Sequence, residues 1–391
     1  MIPYGRHHID ESDIKAVADL LRDGFLTQGP MVTAFENAVA AYTGSKFAVA
    51  VSSATSGLHL AAAVAGVQPG TTLVTSPITF VASANAALYN GAAPLFADID
   101  AATVNLDPAK LEKVLAMNSD VKAVVPVHYG GLACDMAAIR EVADRFGVFV
   151  IEDAAHALGG NYQDGGRIGN NSFSDMTVFS FHPVKAIAAG EGGMITTNSE
   201  DSYRRLLRLR SHGINKLDDP FIYDEDAFAG GEANPWYYEM LEVGYNYRIT
   251  DIQCALGLSQ FRKLDQFISR RRRLAMVYDD AFSDFKNLRP AQPRKGRDRS
   301  GLHIYVVRID FDAIGMGRGE LMRALRARNI GSQVHYIPVT SQPYYRNLGF
   351  KTSDYPNAAD FYSQALSIPL YFDLSDDEQA MVIEALRELV G

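Results

Sequence analysis

Lys185 is the residue of this sequence best placed for covalent chemistry, because it lies between two strand-like runs. Residues 176–181 precede it, and Gly190-Glu191-Gly192-Gly193 and the run 194–197 follow. Desolvation disfavours the charged form of an ammonium, and a neutral amine can attack a carbonyl to form a Schiff base. The competing reading is a lysine whose tip snorkels out of a tight β connection. Asp153, in Glu152-Asp153-Ala154-Ala155-His156, closes the apolar strand predicted at 148–151. It either caps the next turn or presents a fixed anion to a cationic ring nitrogen, with His156 as hydrogen-bond partner. A third cluster, Ser52-Ser53-Ala54-Thr55-Ser56-Gly57, separates a predicted strand (46–51) from an apolar helix (58–65). A strand, a hydroxyl-rich turn and a helix N-terminus make an anion-binding geometry, although Ser and Thr there also serve as N-caps. No Gly-Lys-Ser/Thr follows, so this is not a Walker loop.

The elements that must position these residues alternate. Strands are predicted at 72–76, 93–98 and 123–127, and helices at 13–22, 31–43, 81–90, 108–116 and 135–146. This βαβ rhythm predicts a mostly parallel sheet covered on both faces, with ligands at the carboxyl ends of its strands. Thr55, Ser56, Phe80, His128, Asp153, His156, Ser180 and Lys185 all fall at such ends. From Leu206 the pattern changes. Residues 214–244 form an irregular, acidic and aromatic stretch with the only tryptophan, Trp236, long enough to suggest a lid or an intersubunit element. Thr250 caps a helix predicted at 251–260, and the helix at 264–282 carries Arg270, Arg271, Arg272 and Arg273, which read as a solvated face. A strand at 304–309, a helix at 318–329, a strand-like stretch at 333–336 and a helix at 376–390 predict a smaller α+β domain. The expected division is 1–248 and 249–391.

Composition narrows the function. A chain of 391 residues is long for one domain. A net charge of −9 disfavours nucleic-acid and anionic-membrane partners. No apolar run approaches a membrane span, and the charged N-terminal stretch does not read as a signal peptide. Two cysteines, Cys134 and Cys254, are too few for a disulfide framework or a thiolate metal cluster; they suit a reducing cytoplasm, and no metal is expected. No G-x-G-x-x-G follows the first strand, which argues against a nicotinamide dehydrogenase.

Taken together, FLTQGP (25–30), TSPITFVASAN (75–85), EDAAHALGG (152–160), FSFHPVK (179–185), GEGGM (190–194), GYNYRITDIQ (244–253) and GSQVHYIP (331–338) resemble the DegT/DnrJ/EryC1/StrS family of pyridoxal-phosphate sugar aminotransferases. The resemblance spans nearly the whole chain. It implies an α/β protein of fold type I (aspartate aminotransferase-like), with a mostly parallel seven-stranded sheet in the large domain and a smaller C-terminal α+β domain. It further implies that Lys185 carries pyridoxal 5′-phosphate as a Schiff base and then moves the proton. Asp153 would pair with the pyridinium nitrogen, Phe80 stack on the ring and His156 lie near its phenolic oxygen. Thr55, Ser56 and Ser180 would hold the phosphate, joined by Asn246 from a neighbouring subunit of a homodimer. Tyr4, the loop Leu26-Thr27-Gln28-Gly29 and the stretch Gln333-Val334-His335-Tyr336 resemble substrate contacts.

The resemblance is sharpest for the branch that aminates C4 of a UDP-linked 4-keto-6-deoxy-N-acetylhexosamine with L-glutamate, giving UDP-4-amino-4,6-dideoxy-N-acetyl-β-L-altrosamine for pseudaminic acid. Relatives that dehydrate at C3 carry histidine in place of Lys185, so the lysine favours amino transfer. Most relatives carry glutamine in place of His156, whereas the altrosamine-type branch uses histidine. The alternatives are an aminotransferase for another nucleotide-linked keto sugar and a non-catalytic binding protein of the same fold.

Overall fold

Seven short strands form one sheet in a computed structural model that describes residues 1–216 and 219–391. Their hydrogen-bonded order is β1 (Phe47–Val51), β7 (Gly193–Thr197), β6 (Met176–Ser180), β5 (Phe149–Asp153), β4 (Val121–Val125), β2 (Thr72–Thr75) and β3 (Ala93–Phe96). From β3 across to β6 every pair is parallel, while β7 runs antiparallel to both β6 and β1. The cause is the connection 181–192, which holds no crossover helix, so the chain must fold back on itself. That fold-back carries Lys185.

Side chains alternate across the sheet and so build two cores. Ala48, Ala50, Val124, Val150 and Phe179 face α2 (Pro30–Thr43), α5 (Pro108–Met117), α6 (Met136–Phe146) and the helix Asp251–Phe261. Val49, Val51, Val125, Ile151 and Val178 face α3 (Ala54–Val64), α4 (Val81–Tyr89) and α7 (Glu200–Arg210). Largely apolar strands covered on both faces are what a parallel sheet requires.

A second, antiparallel sheet joins Leu288–Pro290, Tyr305–Ile309 and Ala365–Ile368 under the helices Arg318–Ala327 and Asp376–Val390. The chain passes between cores within the helix Leu264–Ala281, beyond the 248/249 division expected from the sequence. Leu264, Phe267 and Ile268 pack into the large core, whereas Leu274, Ala275 and Tyr278 pack into the small one with Ile2.

That junction overturns the solvated-face reading of the arginine run. Only Arg273 is exposed. Arg270 donates to Leu374 O, Arg271 to His303 O and Leu370 O, and Arg272 to Ser300 O. A helix wedged between two cores has little free face, and the long arginine stems reach backbone carbonyls instead. The stretch 214–244, of which residues 217 and 218 lie outside the described residues, holds two-residue strand pairs and leaves Trp236 and Tyr238 exposed. The predicted strand at 333–336 is reduced to one bridge, Gln333 with Ser367. No helix among the described residues is long and apolar enough to cross a membrane.

Candidate active site

Lys185 opens onto a cavity of about 410 Å³ at the carboxyl ends of the strands. The 181–192 connection is closed by Phe181 N–H to Gly192 O and Ala189 N–H to Phe181 O, and it anchors Phe181 and Ile187 in the core. Burial pushes the Lys185 amine down to about 8, against the opposing pull of the Asp153 carboxylate. At pH 7 roughly a tenth of such an amine is neutral, about 300 times the share in an unperturbed lysine. The cost foreseen for a lysine here is present.

Asp153 ends β5 and lines the same cavity. Ser83 Oγ donates to its Oδ2 at 2.6 Å and the Ala155 amide to its Oδ1 at 3.1 Å, so the carboxylate is fixed in orientation. Its neighbour Glu152 points to the other side of the strand. There it accepts from His128 Nε2, Tyr162 Oη and Thr177 Oγ1 in a fully buried cluster. His128, singled out at a strand end, therefore supports the floor of the site and does not line it.

The anion-binding turn is built differently from its expected register. The helix α3 begins at Ala54, four residues earlier than predicted, with Ser53 as its N-cap. Ser56 is turned inward, bonded to the hydroxyls of Ser52 and Ser53. Its amide goes to Ser53 Oγ, which leaves the Ala54 and Thr55 amides at the open end of the helix. Ser53, Ala54, Thr55 and Ser180 line the cavity; Ser56 does not. Gly193 makes this approach possible. A Cβ there would lie 2.6 Å from the Ser53 carbonyl carbon and 2.7 Å from the Ala54 nitrogen.

The remaining walls come from distant segments. Phe80, 57% exposed at the start of α4, presents its ring 6.2 Å from that of Tyr336. His156 Nε2 lies 2.9 Å from Tyr336 Oη, and its ring packs 4.4 Å from His303. Burial, followed by the charges of Lys185 and His335, holds the His156 imidazole well below its ordinary range. His335 is brought down to about 4 by burial and by Lys185. Tyr4 reaches in from the N-terminal segment, its ring 5.4 Å from His335. Gln333 and Val334 do not line the cavity. Nor do Leu26, Thr27, Gln28 and Gly29, which are tied to the helix Asp251–Phe261 through Asp251. Asn246 is exposed and outside the cavity as well. Sequence reasoning missed Ser53, Thr79, Glu191 and His303 as lining residues. Ser53 was legible as the first hydroxyl able to cap α3, and Glu191 stands in the GEGGM stretch. His303 carried no local signal.

These groups suit a phosphate-bearing aromatic aldehyde. An open helix end with flanking hydroxyls is the type of site that takes a phosphate, a fixed carboxylate suits a cationic ring nitrogen, and a partly neutral lysine suits a carbonyl. The chain matches the model of the DegT/DnrJ/EryC1/StrS aminotransferase family over residues 7–387. It belongs to that family. The spore coat polysaccharide biosynthesis protein SpsC of Bacillus subtilis (strain 168) is 43% identical across 100% of this chain and 97% of its own length. Among solved structures, Helicobacter pylori PseC, an aminotransferase involved in the biosynthesis of pseudoaminic acid, matches with a TM-score of 0.88. It is 30% identical and covers 100% of this chain and 99% of its own. The sugar aminotransferase Spr1654 of Streptococcus pneumoniae in its PMP form gives the same TM-score, 0.88, at 30% identity, covering 100% of this chain and 99% of its own. This DegT/DnrJ/EryC1/StrS member is a pyridoxal-phosphate-dependent sugar aminotransferase of α/β fold type I.

Proposed function

We propose that the Lys185 cavity moves an amino group from L-glutamate to C4 of a UDP-linked 4-keto-6-deoxy-N-acetylhexosamine, giving UDP-4-amino-4,6-dideoxy-N-acetyl-β-L-altrosamine. The observation that carries the site is a lysine amine pushed down to about 8 in the same cavity as a buried, fixed Asp153. The likeness to PseC and the histidine at position 156 support the choice of sugar.

Pyridoxal phosphate supplies an electron-accepting ring. Lys185 would hold it through its amine and, once that amine is freed, would serve as the acid/base for the proton at the amine-bearing carbon of whichever substrate is bound. Asp153 keeps the ring nitrogen protonated, since a neighbouring anion favours the cation. The Ala54 and Thr55 amides, with Ser53 and Ser180, hold the phosphate, so Ser53 takes the part expected of Ser56. Phe80 covers the ring, and His156 and Tyr336 bound its polar edge. Tyr4 and His335 stand where an acceptor sugar would enter. Asn246 and Leu26, Thr27, Gln28 and Gly29, outside this protomer's cavity, serve the partner's cavity in a cytoplasmic homodimer.

A second reading is another nucleotide-linked keto sugar as acceptor. It is favoured by the higher identity to SpsC, 43% against 30% for PseC. The test is the visible spectrum of purified wild type beside Lys185→Ala, before and after L-glutamate, followed by a panel of epimeric 4-keto sugar nucleotides. A yellow band that glutamate bleaches in wild type alone supports the site. Recovery of that band by the UDP-arabino-configured 4-keto sugar and by no epimer supports the acceptor. Protein that takes up no pyridoxal phosphate sinks the reading.

A further inference from the structure

Arg271 lies in the helix Leu264–Ala281 and is 2% exposed, yet it has no carboxylate partner among the described residues. A buried guanidinium without a counter-charge is costly to keep, so its contacts call for a reason. Its Nη1 donates to two carbonyls, His303 O at 3.1 Å and Leu370 O at 3.0 Å. Each carbonyl belongs to a segment that shapes the cavity. The His303 ring lines it and packs 4.4 Å from the His156 ring. The Leu370 amide donates to Tyr4 O at 3.1 Å, and Tyr4 lines it too.

The backbone around His303 is built for close approach. Gly131, at φ +101°, lies so near that a Cβ would be 2.7 Å from His156 O and closer still to the Leu302 nitrogen. The His303 amide donates to Gly130 O at 3.0 Å. His303 is therefore held from its amide side by the 130–131 turn and from its carbonyl side by Arg271. Leu370, and through it Tyr4, hangs on the same guanidinium nitrogen.

We propose that Arg271 is a positioning residue for amino transfer, tying the His303 wall to the Tyr4 wall and so setting how His303 stands against His156 beside Lys185. This rests on reading the cavity as the amino-transfer site. The charge has a second effect. The groups facing His303 are Lys185, His156, Arg271 and His335, and burial together with Lys185 holds its imidazole well below the ordinary range. Arg271 adds to that, so removing its charge lets His303 take up a proton at higher pH.

The test uses full-length protein loaded with pyridoxal phosphate, as wild type, Arg271→Lys, Arg271→Met and the exposed control Arg273→Met. Three quantities are read: the unfolding midpoint, the rate at which L-glutamate bleaches the visible band, and the pH profile of that rate. Arg273→Met should match wild type. Arg271→Lys keeps the charge but loses the rigid fork, so the maximal rate should fall on the order of tenfold with little change in the glutamate KM and an unmoved acid limb. Arg271→Met should show the same fall and an acid limb shifted to higher pH. Folded Arg271 variants with wild-type rates and profile would overturn the proposal. If neither accumulates as folded protein, His303→Gln decides, since it leaves the carbonyl bond to Arg271 in place. A slowed half-reaction there supports the proposal, and an unchanged one overturns it. A wild type that glutamate does not bleach removes the functional reading itself, and the proposal with it.

Discussion

His156 Nε2 stands 2.9 Å from Tyr336 Oη, and this contact joins the end of the central sheet to the C-terminal part of the chain. The other ring nitrogen, Nδ1, is buried with no partner among the described residues. A bare lone pair is cheaper to bury than an orphaned N–H, which places the proton on Nε2 and makes His156 the donor. The Tyr336 hydroxyl then keeps its own proton for a ligand in the cavity. Burial, and after it the Asp153 charge, pushes the Tyr336 phenol up, so it stays protonated across the working range.

Tyr336→Phe should therefore separate fold from function. Losing one hydrogen bond costs stability about 1 kcal/mol, which urea unfolding would register. Amino transfer to the sugar should slow on the order of tenfold, because the donated proton is lost. Equal loss in the glutamate and sugar half-reactions, measured separately, would argue against a role at the acceptor.

Asp153→Asn keeps the shape of the side chain and its bond from Ser83 but removes the charge. The maximal rate should fall by roughly a thousandfold, since the ring nitrogen loses its stabilising anion. The same change should lower the Lys185 amine below about 8, because the Asp153 charge is what opposes the effect of burial on it. Cofactor uptake by apo-protein, followed against pH, would report both: uptake reaching its plateau at lower pH than in wild type, with turnover lost.

Lys185→Met should stabilise the apo-protein. The folded lysine releases its proton near pH 8, against about 10.5 for an unperturbed side chain. Between those values the unfolded chain binds more protons, so wild-type stability rises with pH; below about 8 the full penalty is present. Relative to wild type, the variant should gain roughly 1–3 kcal/mol at pH 7, and the gap should shrink above pH 10. Denaturant curves at the two pH values test this, and a destabilised variant at pH 7 would refute a strained lysine.

Local pattern carried much of this far. The strand-helix alternation located β1 to β6 within a few residues, and the strand-end rule located Lys185, Asp153, Phe80 and Ser180. What it could not carry depends on contacts distant in sequence. Ser56 and Ser53 are equivalent in composition, and only the start of α3 decides which one faces the cavity. Arg271 sits in a run that reads as solvated because nothing local reveals the second core packed against it. His303 and Tyr4 reach the site only when the C-terminal sheet closes against the first, with Ile2 bonded to Asn329 and Gly331. Glu152 and Asp153, adjacent in sequence, are parted by strand alternation into a buried strut and a cavity anion.

Gly193 offers the sharpest test of how the phosphate end is assembled. It begins β7, beside the fold-back that holds Lys185, and its Cα faces the first turn of α3. A methyl group there would meet the Ser53 carbonyl carbon at 2.6 Å and the Ala54 nitrogen at 2.7 Å, both backbone atoms without rotamer freedom. Neither side yields cheaply, because β7 is paired on both edges and α3 packs against the sheet. Gly193→Ala should therefore displace the helix end, at a stability cost of about 1–3 kcal/mol. The amides of Ala54 and Thr55 would move with it, so affinity for pyridoxal phosphate should fall roughly 10- to 100-fold while affinity for pyridoxal falls much less. Equilibrium binding of the two aldehydes to apo-protein reads the difference. Equal losses for both would mean that α3 does not hold the phosphate.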